Sequence, residues 1–216
     1  MVISEQKPFE EILEMLEDCK RVFIAGCSDC ATRCGVGGEP ELAEMKAKLE
    51  EAGKEVTGAV VIQGSCTIPS VKKTYIDNRE AVNSADAILT LSCGNGAQAV
   101  RETMRKTIYP GTNTIFTGWE APFREFEQKC AQCGDCNLGW TDGICPFAVC
   151  TKGLANGPCG GAQDGKCEVD PERDCGWMLI YERLKKLDKL DNMRKIRSPR
   201  NYGKVTPPQK ITVPIR

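Results

Sequence analysis

The sequence predicts an α/β chain: a Rossmann-like parallel sheet with helices on both faces, followed by an irregular Cys/Gly-rich metal-binding module and a C-terminal helix and tail. Three observations predict it. Short apolar runs alternate with amphipathic stretches up to about residue 120. After Pro122 that alternation stops, and residues 130–175 hold eight cysteines among many glycines. A last amphipathic stretch then leads into a basic, proline-rich end. The expected domains are residues 1–120, 121–190 and 191–216.

The elements follow in chain order. PFEEILEMLEDC (8–19) puts Phe9, Ile12, Leu13 and Leu16 on one helical face. Cys19, alone near its end, reads as a small buried hydrophobe. RVFIAG (21–26) is a first strand. PELAEMKAKLEEA (40–52) is a helix with Pro40 in its first turn and Gly53 as its stop. EVTGAVVI (55–62) and DAILTLS (86–92) are the second and third strands, with a helical stretch between them. GAQAVRETMRK (96–106) is a helix and NTIFTG (113–118) the fourth strand. Strands separated by helices imply a parallel sheet covered on both sides. CGWMLIYERLKKLDKL (175–190) is a closing helix with Trp177, Ile180, Leu184 and Leu187 on one side. The tail has no core face; it reads as solvated, or as an arm that orders along an acidic partner surface.

Composition narrows the function classes. Lys and Arg total 29 against 30 Asp and Glu, a net charge of −1, so no whole-molecule field draws the chain to nucleic acid or an anionic membrane. The first twenty residues lack the pattern of a signal peptide, and no apolar run nears the roughly 18 residues of a membrane span. The expected location is the cytoplasm, with no nucleic-acid partner and no membrane insertion. In a reducing compartment, 14 cysteines point to metal or iron–sulfur ligation before disulfides. Histidine is absent, which removes Cys–His and Ser–His–Asp catalysis, mixed cysteine–histidine zinc sites and Rieske ligation. The chain reads as a carrier, not an acid–base catalyst.

Cys27, Cys30 and Cys34 form C-x2-C-x3-C directly after the first strand. Cys66 follows the second strand and Cys93 the third. In a parallel α/β sheet the carboxyl ends of the strands share one edge, so these sequence-distant thiols converge. Five thiols are present where a [4Fe–4S] cube needs four, and the sequence does not choose between Cys66 and Cys93 as the fourth ligand. CGVGGEPE (34–41) has a dinucleotide-turn flavour. Yet cysteines stand where G-x-G-x-x-G would begin, and Glu39 and Glu41 would face the phosphates.

Cys130, Cys133 and Cys136 repeat the C-x2-C-x2-C opening of bacterial ferredoxins, while the Cys145–Pro146 pair comes later than in that motif. Cys150, Cys159, Cys167 and Cys175 complete eight thiols, enough for two cubes or for one cube and a tetrathiolate zinc. Asp135 and Asp142 read as turn residues, not ligands.

GCSDCATRCGVGGEPE, LSCGNGAQAV and CGDCNLGWTDGICPFAVCTKGLANGPCGGAQDGKCEVDPERDCGWMLIYERL together resemble one family over residues 20–190: the iron–sulfur small subunit (MetV-type) of two-subunit bacterial methylene-tetrahydrofolate reductases. The C-terminal stretch is similar to the cysteine-rich domain named after the C-terminus of such reductases, with NGPCGG and GKCEVD its most specific signatures. The resemblance implies a separate TIM-barrel subunit that carries FMN and folate. It also implies an electron-donor protein or module; the three cysteine groupings and the absence of histidine point to two or three [4Fe–4S] clusters here, with zinc as the alternative at one C-terminal site. This chain would then relay electrons to or from the flavin and have no folate reductase activity alone. The rival from another class is a zinc-stabilised scaffold without redox activity.

Overall fold

The computed structural model of the chain describes residues 1–196 and 198–212; of the predicted tail, residue 197 and residues 213–216 lie outside the described residues. In chain order the elements are β1 (Val2–Gln6), α1 (Phe9–Met15), β2 (Arg21–Cys27), α2 (Cys30–Arg33), α3 (Glu39–Glu51), β3 (Glu55–Ile62), α4 (Ile68–Asp77) and α5 (Arg79–Ser84). There follow β4 (Ala87–Leu91), α6 (Gly94–Met104), β5 (Thr107–Pro110), β6 (Thr112–Ala121), β7 (Glu125–Gln128), α7 (Pro146–Val149) and α8 (Gly176–Lys186). The chain divides into two compact units. The first is residues 1–116 with 120–126, and the second is 117–119 with 127–216.

The first unit is α/β, built on a four-stranded sheet in the order β3-β2-β4-β5 with every neighbouring pair parallel. Residue parity explains its two covered faces, because successive strand side chains point to opposite sides. Val22 and Ile24 of β2, with Ala87, Leu89 and Leu91 of β4, pack against Ile12, Leu16, Leu42, Met45 and Leu49 from α1, α3 and the turn after α1. The alternate residues Phe23, Ala25 and Ile88 pack against Val71, Val82, Val100 and Met104 from α4, α5 and α6. Both central strands are therefore almost wholly apolar, as a sheet buried on two sides requires. Cys19 is buried among the first set.

The structure corrects two strand assignments. The fourth strand of the parallel sheet is β5, over Thr107–Pro110, not 113–118. TIYP is too short to stand out by periodicity, and its proline is tolerated because β5 is an edge strand. Residues 113–118 lie instead within β6, the middle strand of a second sheet ordered β1-β6-β7. Strand β1 went unpredicted, since VISEQ offers no clear apolar alternation. The closing helix ends at Lys186, four residues early, and Leu190–Met193 forms a separate 3₁₀ turn.

The second unit is mostly irregular between its short helices. Its buried core is small: Cys175, Trp177, Ile180 and Leu184, with Ile144, Leu154 and Met193 packed around them. The Trp177 indole donates to the Leu154 carbonyl at 3.0 Å. No helix among the described residues is long and apolar enough to cross a membrane.

Candidate cysteine centres

The first set of thiols lies along the carboxyl rim of the parallel sheet. Cys27 is the last residue of β2, level with Ile62 at the end of β3. Gly26 pairs with Leu91, so Cys93 lies just past the same rung and stands as the N-cap of α6. Cys66 lies four residues beyond the end of β3. The loop after Cys27 is pinned to this rim. Ser28 N–H donates to Ile62 O at 3.0 Å, Cys27 N–H to Gly37 O at 2.9 Å, and the Thr32 hydroxyl to Cys27 O at 2.7 Å.

Gly37 is forced by close approach. A Cβ there would overlap the Leu91 carbonyl oxygen and stand 2.7 Å from the Ala31 Cβ. The cysteine loop thus returns between the ends of β2 and β4 at a distance only a glycine allows. Cys27, Ala31 and Val36 form a small buried cluster on which Cys34 packs. Cys30 and Cys34, one helical turn apart, both reach β1: the Val2 N–H donates to Cys30 Sγ at 3.4 Å, and the Cys34 thiol lies 3.9 Å from Val2 O. Ser65 and Ser92, neighbours of Cys66 and Cys93, both crowd Gly96, where a Cβ would overlap the Ser65 hydroxyl and lie 2.8 Å from that of Ser92.

The backbone therefore brings Cys27, Cys30, Cys34, Cys66 and Cys93 to one rim. Cys27 and Cys93 are buried, Cys30 and Cys34 half-buried, and Cys66 exposed. Burial pushes the Cys34 thiol above its ordinary value, and Cys30 and Glu120 add to this against the Ser4 backbone and Arg124. A bound cation would reverse that balance, because coordination favours the thiolate. Glu41 folds back to accept the Gly38 N–H at 2.8 Å, so a carboxylate occupies the N-terminus of α3. That placement speaks against a phosphate there.

In the second unit the thiols gather in two places. Cys130, Cys133 and Cys136 stand on irregular backbone. Cys130 Sγ accepts from Gln132 N–H at 3.4 Å, the Cys133 thiol lies 3.7 Å from Asp135 O, and Arg200 Nη2 donates to Cys133 O at 3.0 Å. Burial raises the Cys133 thiol, but the Arg200 guanidinium and the Asp135 backbone outweigh it and hold the group below its ordinary value.

The other gathering surrounds α7 and the start of α8. Cys145 and Cys150 are the N- and C-caps of α7, and Cys175 is the N-cap of α8. Cys150 and Cys175 pack into one core, where a Cβ on Gly176 would stand 2.6 Å from Val149 Cγ2. The Cys167 thiol approaches the hydroxyl of Thr151, the residue after Cys150, at 3.6 Å. The Val169 backbone, the Thr151 hydroxyl and the Asp170 backbone hold the Cys167 thiol below its ordinary value, which favours a thiolate ligand. Cys159 Sγ accepts from Gly161 N–H at 3.5 Å, and Gly161 lies against Glu168, next to Cys167.

All 14 cysteines are free thiols. Among the described residues no three cysteine, aspartate or glutamate side chains stand together at metal-ligating distance, so the structure gathers the donors without closing them on a centre. The donor set is sulfur throughout, and the unpartnered buried donors Arg200 Nε and Nη1 lie beside Cys133. Both features fit an anionic sulfur-rich group.

Asp142 braces the segment between Cys136 and Cys145. It sits at φ 50°, a left-handed conformation aspartate tolerates, and accepts from Arg183 Nε at 2.8 Å and Lys189 Nζ at 3.3 Å. The Arg183 hydrogen bond first, and then Lys189, hold its carboxyl below the usual range. A depressed carboxylate contributes stability above its unfolded value and loses it as pH falls through the folded one. The second unit should therefore loosen in acid, and Asp142→Asn should show the looser state already at neutral pH with less further change. Tryptophan emission followed from pH 7 to 3 checks this, since Trp140 and Trp177 lie in that unit.

Sequence reasoning missed Val2, Arg183 and Arg200 as partners of this machinery. Val2 and Arg183 act only through tertiary contact, and Arg200 looks like any basic tail residue.

Residues 109–203 match the family model described as methylene-tetrahydrofolate reductase C terminal. The match relates the chain to those reductases over somewhat less than half of its length and covers all eight cysteines of the second unit. No curated protein and no solved structure matches the chain.

Proposed function

We propose that this chain is the electron-transfer subunit of a methylene-tetrahydrofolate reductase complex. In this reading it relays electrons through two or three [4Fe–4S] clusters to or from the FMN of a TIM-barrel catalytic subunit, which reduces methylene-tetrahydrofolate to methyl-tetrahydrofolate. The observation that carries the reading is the gathering of five thiols at one sheet rim in a chain without histidine. The family match at the other end of the chain supports the same reductase.

Cys27, Cys30 and Cys34, with Cys66 or Cys93, would hold the first centre. The thiols of Cys130, Cys133 and Cys136 and those of Cys145, Cys150, Cys159, Cys167 and Cys175 would hold the C-terminal centres, with zinc the alternative at one of them. A cluster supplies single-electron transfer at a potential its surroundings set, which suits a flavin that collects two electrons one at a time. The chain's own residues supply those surroundings. The apolar wall of Ala31 and Val36 keeps water from Cys27, and the Val2 N–H reaches Cys30. Such donors and such burial tune potential. The chain has no histidine to shuttle protons, and in this proposal the reduction itself belongs to the partner. A cytoplasmic location and a separate electron donor complete the proposal.

Protein purified without oxygen should be brown, carry iron and sulfide in roughly equal amounts, and give a paramagnetic signal after dithionite. Alone it should reduce no folate. Colourless protein holding only zinc would defeat the reading and favour a zinc-stabilised scaffold.

A further inference from the structure

Arg200 is held by more contacts than a tail residue needs. Its guanidinium carbon lies 4.1 Å from the ring centroid of Phe147 and 5.6 Å from that of Tyr202. Nη2 donates to the Cys133 carbonyl at 3.0 Å. The backbone on either side is fixed too. Gly134 sits at φ 69°, and a Cβ there would stand 2.9 Å from Val205 Cγ1 and 3.0 Å from Lys204 Cβ. The tail therefore runs directly over the Cys133–Gly134 turn. Phe147 belongs to α7, immediately after the Cys145–Pro146 pair, so Arg200 joins the cysteine triplet to the helix capped by Cys145 and Cys150. A cleft of about 730 Å³ beside it is lined by Asp135, Cys136, Tyr202 and others.

The guanidinium interacts with the Cys133 thiol and holds it below its ordinary value. Nε and Nη1 are buried and have no hydrogen-bond partner among the described residues. Leaving a buried donor unmade costs about 1–3 kcal/mol, more when it is charged, so two such donors on one cation call for an anionic acceptor at Cys133. That acceptor is the Cys133 sulfur or an anion bound to it, within reach of a planar fork. A thiolate-ligated cluster, with sulfide and cysteinyl sulfur as acceptors, has that chemistry.

We propose that Arg200 is a positioning residue that clamps the tail over the centre held by Cys130, Cys133 and Cys136, donating Nε–H and Nη1–H to its sulfur and raising its reduction potential. This rests on the iron–sulfur reading above. A cation hydrogen-bonded to the sulfurs stabilises the reduced, more negative state more than the oxidised one, which sets the sign. The aromatic faces of Phe147 and Tyr202 hold the guanidinium plane, so the fork is pre-organised. Lysine would keep the charge and lose the fork.

The test uses the full chain, loaded with iron and purified without oxygen, in redox titrations followed by paramagnetic resonance. Arg200→Met should lower the potential of one C-terminal centre, with the one-electron equilibrium moved at least tenfold toward the oxidised form, or about 59 mV. Arg200→Lys should fall between Met and wild type, and the N-terminal centre should not move. Limited proteolysis supplies the second arm: the chain after Ser198 should be protected in iron-loaded wild type and cut readily in Arg200→Met. Loss of C-terminal iron from Arg200→Met with recovery in Arg200→Lys would also support the clamp. Wild-type potentials in both variants, equal shifts at every centre, or iron lost from both variants would overturn it. Wild-type protein carrying zinc and no iron would instead defeat the functional reading, so the two failures are distinguishable.

Discussion

Gly37→Ala should lower the melting temperature of the first unit by several degrees and strip the proposed cluster's iron from its rim. The added methyl meets the Leu91 carbonyl oxygen and the Ala31 Cβ, the latter at 2.7 Å. Leu91 closes β4 in the middle of the sheet, paired with Gly26, so its carbonyl has no freedom to retreat. The loop must lift instead, which breaks the 2.9 Å bond from Cys27 N–H to Gly37 O. Overpacking of this kind costs about 1–3 kcal/mol. For this unit that is a few degrees per kcal/mol, between the roughly 4–8 °C of smaller domains and the roughly 2–4 °C of larger ones. The functional loss should be larger than the thermal one, because Cys27, Cys30 and Cys34 all depend on where that loop returns. Calorimetry and iron per chain are the measurements; wild-type values for both would show that the loop's return path does not position the thiols. Gly26→Ala should behave alike, since its methyl would face the Gly37 carbonyl and Leu42 Cδ1.

The loop shows how far the sequence could be read. Strand ends followed by cysteines located the rim, because parallel strands leave no choice about which ends share an edge. Gly37 and Gly38 could be read as backbone permissiveness, but not as the wedge between β2 and β4. That role exists only once Leu91 is level with Gly26. The same limit explains the misassigned fourth strand: apolar content favoured 113–118, whereas the slot beside β4 is filled by TIYP, whose pairing to Ala87–Thr90 is a tertiary fact. In the second unit the count of eight thiols was plain. The triplet stood out by its spacing, but the placing of the other five around α7 and α8 did not, because it depends on loops whose contacts no periodicity encodes. Cys167 meets Thr151 across sixteen residues, and Arg200 meets Cys133 across 67.

Cys133→Ala should remove one C-terminal centre, about four iron per chain if that centre is a cube, and leave the rim centre of the first unit with its wild-type paramagnetic signal. Each unit has a buried core of its own: the two helix-covered faces of the parallel sheet in one, and the Cys175, Trp177, Ile180 and Leu184 set in the other. A centre held by Cys27, Cys30 and Cys34 draws on the first, so nothing in its packing requires Cys133. Within the second unit the effect should be severe. Its core is small for ninety or so residues, and such a unit leans on bound metal for stability. Near-ultraviolet dichroism from Trp177 should therefore weaken in Cys133→Ala as iron is lost, while the melting of the sheet unit holds. The reciprocal variant, Cys27→Ala, should spare the tryptophan signal and lose the rim centre. Iron lost from every centre in either variant would mean that the two units load as one, and full iron in Cys133→Ala would remove that thiol from the ligand set.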